Sequence, residues 1–326
     1  MTGTTTAFVF PGQGSQRVGM GRHLLGRRPD LLGTYYREAD DILGIPLSTL
    51  CWEGPASALR NTAITQPAVF LTSLATLDVL RDEGLAPDAV AGHSLGEYTA
   101  LVAADVLDWR DALRLVRHRG RLMAGVNERI PGGMAAVLGL DLAVVEALCA
   151  RVTAELGADA GVVEVANDNE PRQVVVSGRR TAVERLRTAA DAAGAVRAIA
   201  LDVSAPFHSS LMADIEAEFA AALDRVPLRA PRVPLVSTVT ADHVTTAGEI
   251  AVGLRRQLAG RVRWTEAVRT LTRSGVTAFV EVGPGKVLGG LCRRIAREAE
   301  VHGTDDERAL SKTLARFGAA PAEVVA

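Results

Sequence analysis

The chain has 326 residues, of which 48% are hydrophobic, and its 36 basic and 38 acidic residues give a formal net charge of -2. This near-neutral balance provides no concentrated basic surface of the kind that nucleic-acid binding requires. The start lacks the basic and apolar regions of a signal peptide, and no stretch approaches the roughly 18 consecutive apolar residues of a membrane span. We therefore expect a soluble, cytoplasmic, monomeric protein with neither a nucleic acid nor a membrane as partner.

The three cysteines give no indication of a metal centre or of a disulfide framework. Cys51, Cys149 and Cys292 lie far apart and belong to no CxxC or Cys/His cluster. A lone cysteine is usually a small buried hydrophobic residue, so we assign no function to any of them.

The first 125 residues alternate short apolar runs with helical patterns. The predicted strands are 6–10 and 89–91, and the predicted helices are 31–43, 67–82, 95–103 and 109–125. Pro67 is placed early in its helix, and Asp108 can cap the helix that follows it. This alternation favours a parallel sheet covered by helices on both faces, which is an α/β fold.

From about residue 130 the order of elements changes to β-α-β-β-α-β, the pattern of a ferredoxin-like unit. Its predicted strands are 134–138, 162–166, 173–177 and 195–201, and its helices are 142–155 and 181–193. Strand and helix then alternate again, at 233–237, 247–257 and 276–282. We therefore predict a large subdomain from 1–129 and 202–300 and an inserted small subdomain from 130–201. The C-terminal tail, 301–326, has few large apolar residues and no clear periodicity, so we expect it to be disordered.

A candidate nucleophile lies between a predicted strand and a predicted helix. Gly92-His93-Ser94-Leu95-Gly96 matches the G-x-S-x-G pattern, in which a sharp turn exposes the serine hydroxyl above the sheet. The following helix N-terminus directs backbone N–H groups at a developing oxyanion. An ordinary strand-to-helix turn with a capping serine is the structural alternative.

A serine nucleophile needs a base, and His208 is the best candidate among six histidines. It follows a strand in a loop of mostly small residues, a position where catalytic groups are common. A purely structural histidine is the alternative. His93 is adjacent to Ser94, but we expect its side chain to point away from the reactive side of the turn.

Arg119 breaks the pattern of its predicted helix. A helical projection places it in the middle of the apolar half, between Leu115 and Ala112. A buried guanidinium is costly unless a carboxylate accompanies it. The partner is either an internal carboxylate, as in a structural ion pair, or the carboxylate of a substrate, which arginine binds well in a planar, bidentate manner.

These residues resemble a known family, the malonyl-CoA:acyl-carrier-protein transacylases and the related acyltransferase domains of polyketide synthases. The resemblance covers roughly residues 7–297 and depends on motifs in the same order and spacing. The matching motifs are 8–16 (FVFPGQGSQ), 65–68 (TQPA), 92–98 (GHSLGEY), 119–120 (RG), 207–209 (FHS), 256–258 (RQL) and 281–286 (EVGPGK).

The resemblance implies a hydrolase-like α/β body with a ferredoxin-like subdomain, and a ping-pong transfer from coenzyme A to a carrier's phosphopantetheine thiol. Ser94 would be the nucleophile and His208 its base. The remaining roles would fall to Gln257, whose carbonyl orients His208, to Gln13 and Leu95, whose N–H groups form the oxyanion hole, and to Arg119 and Gln66, which bind the malonyl group. The thioester of coenzyme A would be the substrate, and no bound cofactor is expected.

Two further features bear on the substrate and on the carrier. Phe207 precedes the base, and in related domains a bulky residue there accompanies malonyl rather than methylmalonyl. The chain departs from the family pattern at Glu170 and Arg172, near the expected cleft mouth. Carrier proteins are typically acidic, so we expect a basic docking surface that draws on arginines 151, 172, 293 and 294.

Three alternatives remain open at the level of the sequence. The first is a hydrolase that clears acyl groups from carrier proteins, although such an enzyme has little need for an inward Arg119. The second is an acyltransferase that moves another acyl unit between carriers. The third is a catalytically idle partner of a synthase complex.

Overall fold

The computed structural model describes residues 4–157, 159–203 and 205–318 and contains two separate sheets. The strands are β1 (Thr6–Phe10), β2 (Ala89–Gly92), β3 (Gly132–Leu138), β4 (Val163–Glu170), β5 (Gln173–Arg179), β6 (Arg197–Ala200), β7 (Leu235–Val236), β8 (His243–Val244), β9 (Ala278–Glu281) and β10 (Glu300–Gly303).

Thirteen α-helices connect and cover the strands of the described part of the chain. They are α1 (Glu38–Leu43), α2 (Leu47–Glu53), α3 (Ala56–Leu59), α4 (Thr62–Asp82), α5 (Gly96–Ala103), α6 (Trp109–Arg129), α7 (Leu142–Leu156), α8 (Arg180–Ala192), α9 (Glu216–Leu223), α10 (Ala247–Arg256), α11 (Trp264–Arg273), α12 (Val287–Ile295) and α13 (Glu307–Phe317). A π-helical segment, Leu32–Arg37, leads into α1, so the predicted helix 31–43 is present but irregular.

The larger sheet has the strand order β10-β9-β1-β2-β7-β8, in which only β8 pairs in an antiparallel manner. Every residue of β1, β2 and β9 is buried, as expected for parallel strands covered on both faces. The carboxyl ends of these three strands are adjacent, which is where open α/β sheets place their binding crevices.

The smaller sheet has the order β4-β5-β3-β6 and is antiparallel throughout. Valines and alanines of its strands pack against α7 and α8 to form a separate hydrophobic core. The ferredoxin-like order of elements and the parallel sheet of the body are both confirmed.

The packing of α4 against α6 has a specific chemical basis. Pro67 lies inside α4 and has no N–H to donate to the carbonyl of Ala63, one turn earlier. The guanidinium of Arg117, on α6, donates to that carbonyl instead. At Gly120 a Cβ would lie 2.9 Å from the Thr62 carbonyl oxygen, so glycine permits the close approach of the two helices.

Two sequence predictions are wrong. Helix α4 begins at Thr62 rather than at Pro67, because the Asn61 side chain accepts from the Ala63 N–H and Arg117 compensates for the proline. The tail is not without structure, since β10 extends the large sheet beside β9 and α13 follows it. Residues 319–326 of that predicted tail lie outside the described residues.

Helix α4 is also the one described helix that is long and apolar enough to cross a membrane by length and composition alone. Its most apolar window has a mean hydropathy of 1.4, but 83% of that window is buried inside the protein. Burial of this extent is typical of a core helix.

Candidate active site

The serine of the G-x-S-x-G motif occupies a strained turn between β2 and α5. Ser94 has a φ of 53°, in the left-handed region of backbone conformation that residues other than glycine rarely adopt. A Cβ at Gly92 would lie 2.0 Å from the backbone of Gly96, and a Cβ at Gly96 would lie 2.0 Å from the carbonyl oxygen of Phe10. Both glycines are therefore required for the turn to close against β1.

Ser94 and His208 meet across a cleft although 114 residues separate them. The Ser94 Oγ lies 2.7 Å from the His208 Nε2. The other ring nitrogen, Nδ1, lies 2.9 Å from the carbonyl oxygen of Gln257 and 3.1 Å from that of Gly260. Because carbonyl oxygens only accept, Nδ1 carries the proton, and Nε2 is left to accept from the serine hydroxyl.

The surroundings of His208 keep its imidazole neutral. Burial, together with the positive charge of Arg119, lowers the pKa of His208 to about 3. The hydrogen bonds that Nδ1 donates to the two carbonyls act in the opposite direction but are weaker. A neutral imidazole with a free Nε2 lone pair can accept the proton of the serine.

Arg119 projects from α6 into the same pocket and is 1% exposed. Its Nη1 donates to Gln66 Oε1 over 2.8 Å, and its Nη2 donates to Gln257 Oε1 over 3.0 Å and to Ser94 Oγ over 3.1 Å. Its guanidinium also lies over the ring of Tyr98, 5.7 Å from the centroid. Burial lowers the pKa of Arg119.

No carboxylate of the described residues forms a salt bridge with Arg119, whose Nε has no hydrogen-bond partner there. The structural ion pair that the sequence left open is therefore absent from this part of the chain. Neutral groups hold the guanidinium, and N–H donors remain for a ligand.

Backbone donors complete the surroundings of the serine. Gln13 follows the carboxyl end of β1, and Leu95 directly precedes α5; both residues line the pocket that contains Ser94. Neither backbone N–H donates to an acceptor among the described residues. Two free N–H groups beside a reactive hydroxyl are suited to an oxyanion.

The pocket around Ser94 has a volume of about 180 Å³ and also includes Gln66, Arg119, Phe207 and His208. It adjoins a larger cleft of about 680 Å³, with which it shares residues 13, 134, 201, 203 and 207. The outer rim of the cleft carries charges of both signs. The basic residues are Arg60 and Arg180, and the acidic residues are Glu128, Glu184 and Asp202.

His93 points away from the serine, as expected from the turn. Its Nε2 lies 2.8 Å from the Asn169 Oδ1, so it joins the turn after β2 to the end of β4. Glu170, which follows Asn169 in the chain, is nearly buried and lies 3.9 Å from the Arg294 guanidinium. The departure from the family pattern at this position therefore forms a structural contact at the edge of the pocket.

The other arginines predicted for carrier docking also have intramolecular partners. Arg172 donates to the carbonyl of Gly139, Arg293 donates to that of Val301 over 3.1 Å, and Arg151 lies 3.7 Å from Glu155. Of the four, Arg294 and Arg172 contact Glu170, which is next to the pocket, the latter through its backbone N–H over 3.1 Å. The docking surface stays a prediction.

The structure brings together every site residue predicted from the sequence, namely 13, 66, 94, 95, 119, 207, 208 and 257. Sequence reasoning missed three contributions: the Gly260 carbonyl, the side chain of Gln257, and Glu97, which is buried behind Gln257. Glu97 lies within the matching motif 92–98, which was the signal available for the last of these.

An α/β protein whose elbow serine contacts a neutral imidazole fits the class of serine-dependent acyl-transfer enzymes. The chain belongs to the acyl transferase domain family, whose model matches residues 7–310. It is 42% identical over 311 residues to the malonyl CoA-acyl carrier protein transacylase of Bacillus subtilis, covering 94% of this chain and 96% of that protein.

Solved structures show the same fold along nearly the whole chain. The malonyl-CoA:acyl carrier protein transacylase of Xanthomonas oryzae superposes with a TM-score of 0.92 at 38% identity, covering 98% of this chain and all of that one. A malonyl-transacylase in complex with a type II polyketide synthase acyl-carrier protein gives 0.91 at 39% identity, covering 96% and 100%.

The lowered pKa of His208 predicts how this residue responds to acid. Its imidazole resonances should not shift between about pH 8 and about pH 5, although a free imidazole titrates near 6.5. In the unfolded chain the His208 imidazole takes up a proton near pH 6.5, whereas in the folded protein it remains neutral to a much lower pH. The free energy of unfolding should therefore decrease as the pH falls below about 6.5. NMR of protein with labelled histidine, assigned with His208→Gln, measures the first effect. A resonance that titrates near 6.5 would contradict the proposed environment.

Proposed function

We propose that the chain transfers a malonyl group from coenzyme A to the phosphopantetheine thiol of an acyl carrier protein in fatty acid or polyketide synthesis. The observation that carries the proposal is the buried Arg119 guanidinium, which lies 3.1 Å from the Ser94 hydroxyl and has no carboxylate partner among the described residues. An acyl group with a free carboxylate would supply that partner. The names of the relatives agree with this substrate.

The first half of the reaction forms a malonyl-serine ester. Ser94 Oγ attacks the thioester carbonyl carbon while its proton moves to His208 Nε2, which is 2.7 Å away. The backbone N–H groups of Gln13 and Leu95 would stabilise the oxyanion. The C–S bond then breaks, and coenzyme A leaves as a thiol that takes the proton from His208.

The second half repeats these steps in reverse order with the carrier. His208 Nε2 accepts the proton of the phosphopantetheine thiol, and the sulfur attacks the ester carbonyl. Ser94 Oγ leaves and regains the proton from His208. Atoms and charges balance without a bound cofactor, and we propose that the reaction takes place in the cytoplasm.

The large cleft suits the arm that both thioesters share. It has a volume within the range of small-molecule sites and opens to solvent from the inner pocket of Ser94. Its mixed charges do not favour an anion, whereas the pantetheine arm is neutral and contains amides.

We also propose that 130–201 forms one wall as a separate subdomain and that 1–129 with 202–300 forms the other, since both segments line the cleft.

Incubation with malonyl-CoA and a phosphopantetheinylated carrier protein tests the function directly. We expect malonyl-carrier as the main product, and a malonyl adduct on the intact protein by mass spectrometry that Ser94→Ala abolishes. Free malonate as the main product would instead identify a hydrolase. Labelling of Ser94→Ala equal to that of the unmodified protein would favour an idle partner.

Arg119→Ala separates a substrate-binding arginine from a structural one. Because the guanidinium would contact only an acyl group with a carboxylate, malonyl transfer should fall by about a hundredfold or more, and acetyl transfer should fall much less. The measurement is kcat/KM for serine acylation by malonyl-CoA and by acetyl-CoA. Equal losses for both substrates would assign Arg119 a structural function.

Phe207 should restrict the size of the acyl group. Its side chain is 7% exposed and lines the pocket beside Ser94, where it occupies space that a methyl branch needs. Phe207→Ala should therefore improve methylmalonyl relative to malonyl transfer by roughly tenfold or more, as expected for one methyl group. Competition between the two thioesters, followed by mass spectrometry of the acyl-enzyme, measures this ratio. An unchanged ratio would exclude Phe207 as the determinant.

A further inference from the structure

Gln257 contacts three parts of the active site at once. Its main-chain carbonyl accepts from His208 Nδ1 over 2.9 Å, and its side-chain Oε1 accepts from Arg119 Nη2 over 3.0 Å. Its Nε2 donates to the main-chain carbonyl of Ser94 over 3.1 Å. One residue therefore joins the serine turn, the histidine and the arginine.

The chemistry of these partners allows only one orientation of the Gln257 amide. A guanidinium only donates and a carbonyl only accepts, so Oε1 must face Arg119 and Nε2 must face Ser94. A rotation of the amide by half a turn would place Nε2 against the Nη2 of Arg119, two donors facing each other. The orientation of this amide decides whether Arg119 is held in position.

Glu97 supplies the shortest contact of the amide. Its Oε2 lies 2.7 Å from Gln257 Nε2, shorter than the 3.1 Å contact to Ser94. Glu97 is 4% exposed and lies in the first turn of α5, where the helix dipole favours a negative charge.

Two hydroxyl groups fix the Glu97 carboxylate itself. Ser237 Oγ accepts from the Val239 N–H, so its single proton is directed to Glu97 Oε1, 2.7 Å away. Thr238 Oγ1 lies 3.1 Å from Oε2. Burial raises the pKa of Glu97 above its ordinary value, and the hydrogen bonds from Ser237, Gln257 and Thr238 offset only part of this rise. The carboxylate is therefore an anchored acceptor rather than a mobile group.

We propose that Glu97 is a positioning residue for acyl selectivity, because it fixes the Gln257 amide that holds Arg119 toward the acyl pocket. This inference rests on the proposed function, in which Arg119 binds the malonyl carboxylate. It also explains why Glu97 does not pair with Arg119 directly. One amide separates the two side chains, so Glu97 holds the guanidinium in position without occupying the place of the substrate.

The base is held independently of this side chain. The Gln257 N–H donates to the Gly253 carbonyl over 2.9 Å, so helix α10 positions the main-chain carbonyl that orients His208. Loss of Glu97 should thus affect Arg119 more than His208. The expected signature is a change in selectivity rather than a uniform loss of activity.

The test compares Glu97→Ala with Glu97→Gln in serine acylation by malonyl-CoA and by acetyl-CoA. In Glu97→Ala the Gln257 amide loses its anchor, and the malonyl-to-acetyl ratio of kcat/KM should fall roughly tenfold, as expected for one hydrogen bond in a charged network. Glu97→Gln retains an oxygen that can accept from Gln257 Nε2, so it should restore most of the ratio.

Glu281→Ala serves as the matched control. Glu281 is another buried glutamate, 1% exposed, and it accepts from the N–H groups of Leu288 and Gly289 at the start of α12, which lines the same pocket. Its loss should lower thermal stability without changing the malonyl-to-acetyl ratio.

Three outcomes would overturn the inference while malonyl transfer by the unmodified protein still supports the proposed function. They are an unchanged ratio in Glu97→Ala, an equally lowered ratio in Glu97→Gln, and a ratio that falls as far in Glu281→Ala. Absence of malonyl transfer in the unmodified protein would overturn the function itself.

Discussion

A positive charge buried without a negative partner in contact is the constraint on which the site depends. Removing a guanidinium from water costs several kcal/mol, and Arg119 recovers part of that cost from two glutamine oxygens, a serine hydroxyl and an aromatic face. Neutral acceptors keep the arginine in place but leave its charge uncompensated. A ligand carboxylate therefore gains more binding free energy beside Arg119 than it would beside an arginine already paired with Asp or Glu.

The fold reaches this arrangement through the close packing of α4 and α6. Gly120 lets the helices approach, and Arg117 replaces the hydrogen bond that Pro67 cannot make. This approach brings Gln66 of α4 to within 2.8 Å of the adjacent Arg119 on α6. In each of the motifs 65–68 and 119–120, two adjacent residues therefore have different functions. Pro67 and Gly120 lie where the two helices pack, whereas Gln66 and Arg119 line the pocket.

The sequence predicted the parts of the site that have a local signature. Ser94 follows from the spacing of its glycines and the flanking elements, and Arg119 follows from its place in the apolar half of a helix. The loop around His208 made it the best candidate for the base, but only the family resemblance favoured this role over a structural one, because its partners lie 49 and 114 residues away along the chain. The side chain of Gln257 and Glu97 could not be predicted in the same way, since their contacts exist only after the elements pack.

The two wrong predictions about the fold, the start of α4 and the unstructured tail, have a similar origin. A proline normally marks the first turn of a helix, and the prediction could not include a donor from another helix that replaces the missing N–H. The tail has few large apolar residues, but β10 gains its stability from backbone pairing with β9, a contact that composition does not report. Local patterns therefore fail where a distant partner completes a hydrogen bond.

The way in which His208 is held bears on the choice between transfer and hydrolysis. Its Nδ1 donates to two neutral carbonyls, Gln257 and Gly260, so a developing imidazolium gains less stabilisation than it would from a carboxylate. The nearby charge of Arg119 lowers its basicity further. A thiol loses its proton at a pKa of about 8.5 and water at about 15.7, so a weak base serves the thiol far better than water. Under the proposed reaction, the acyl-serine ester would therefore wait for the carrier even where water reaches the pocket.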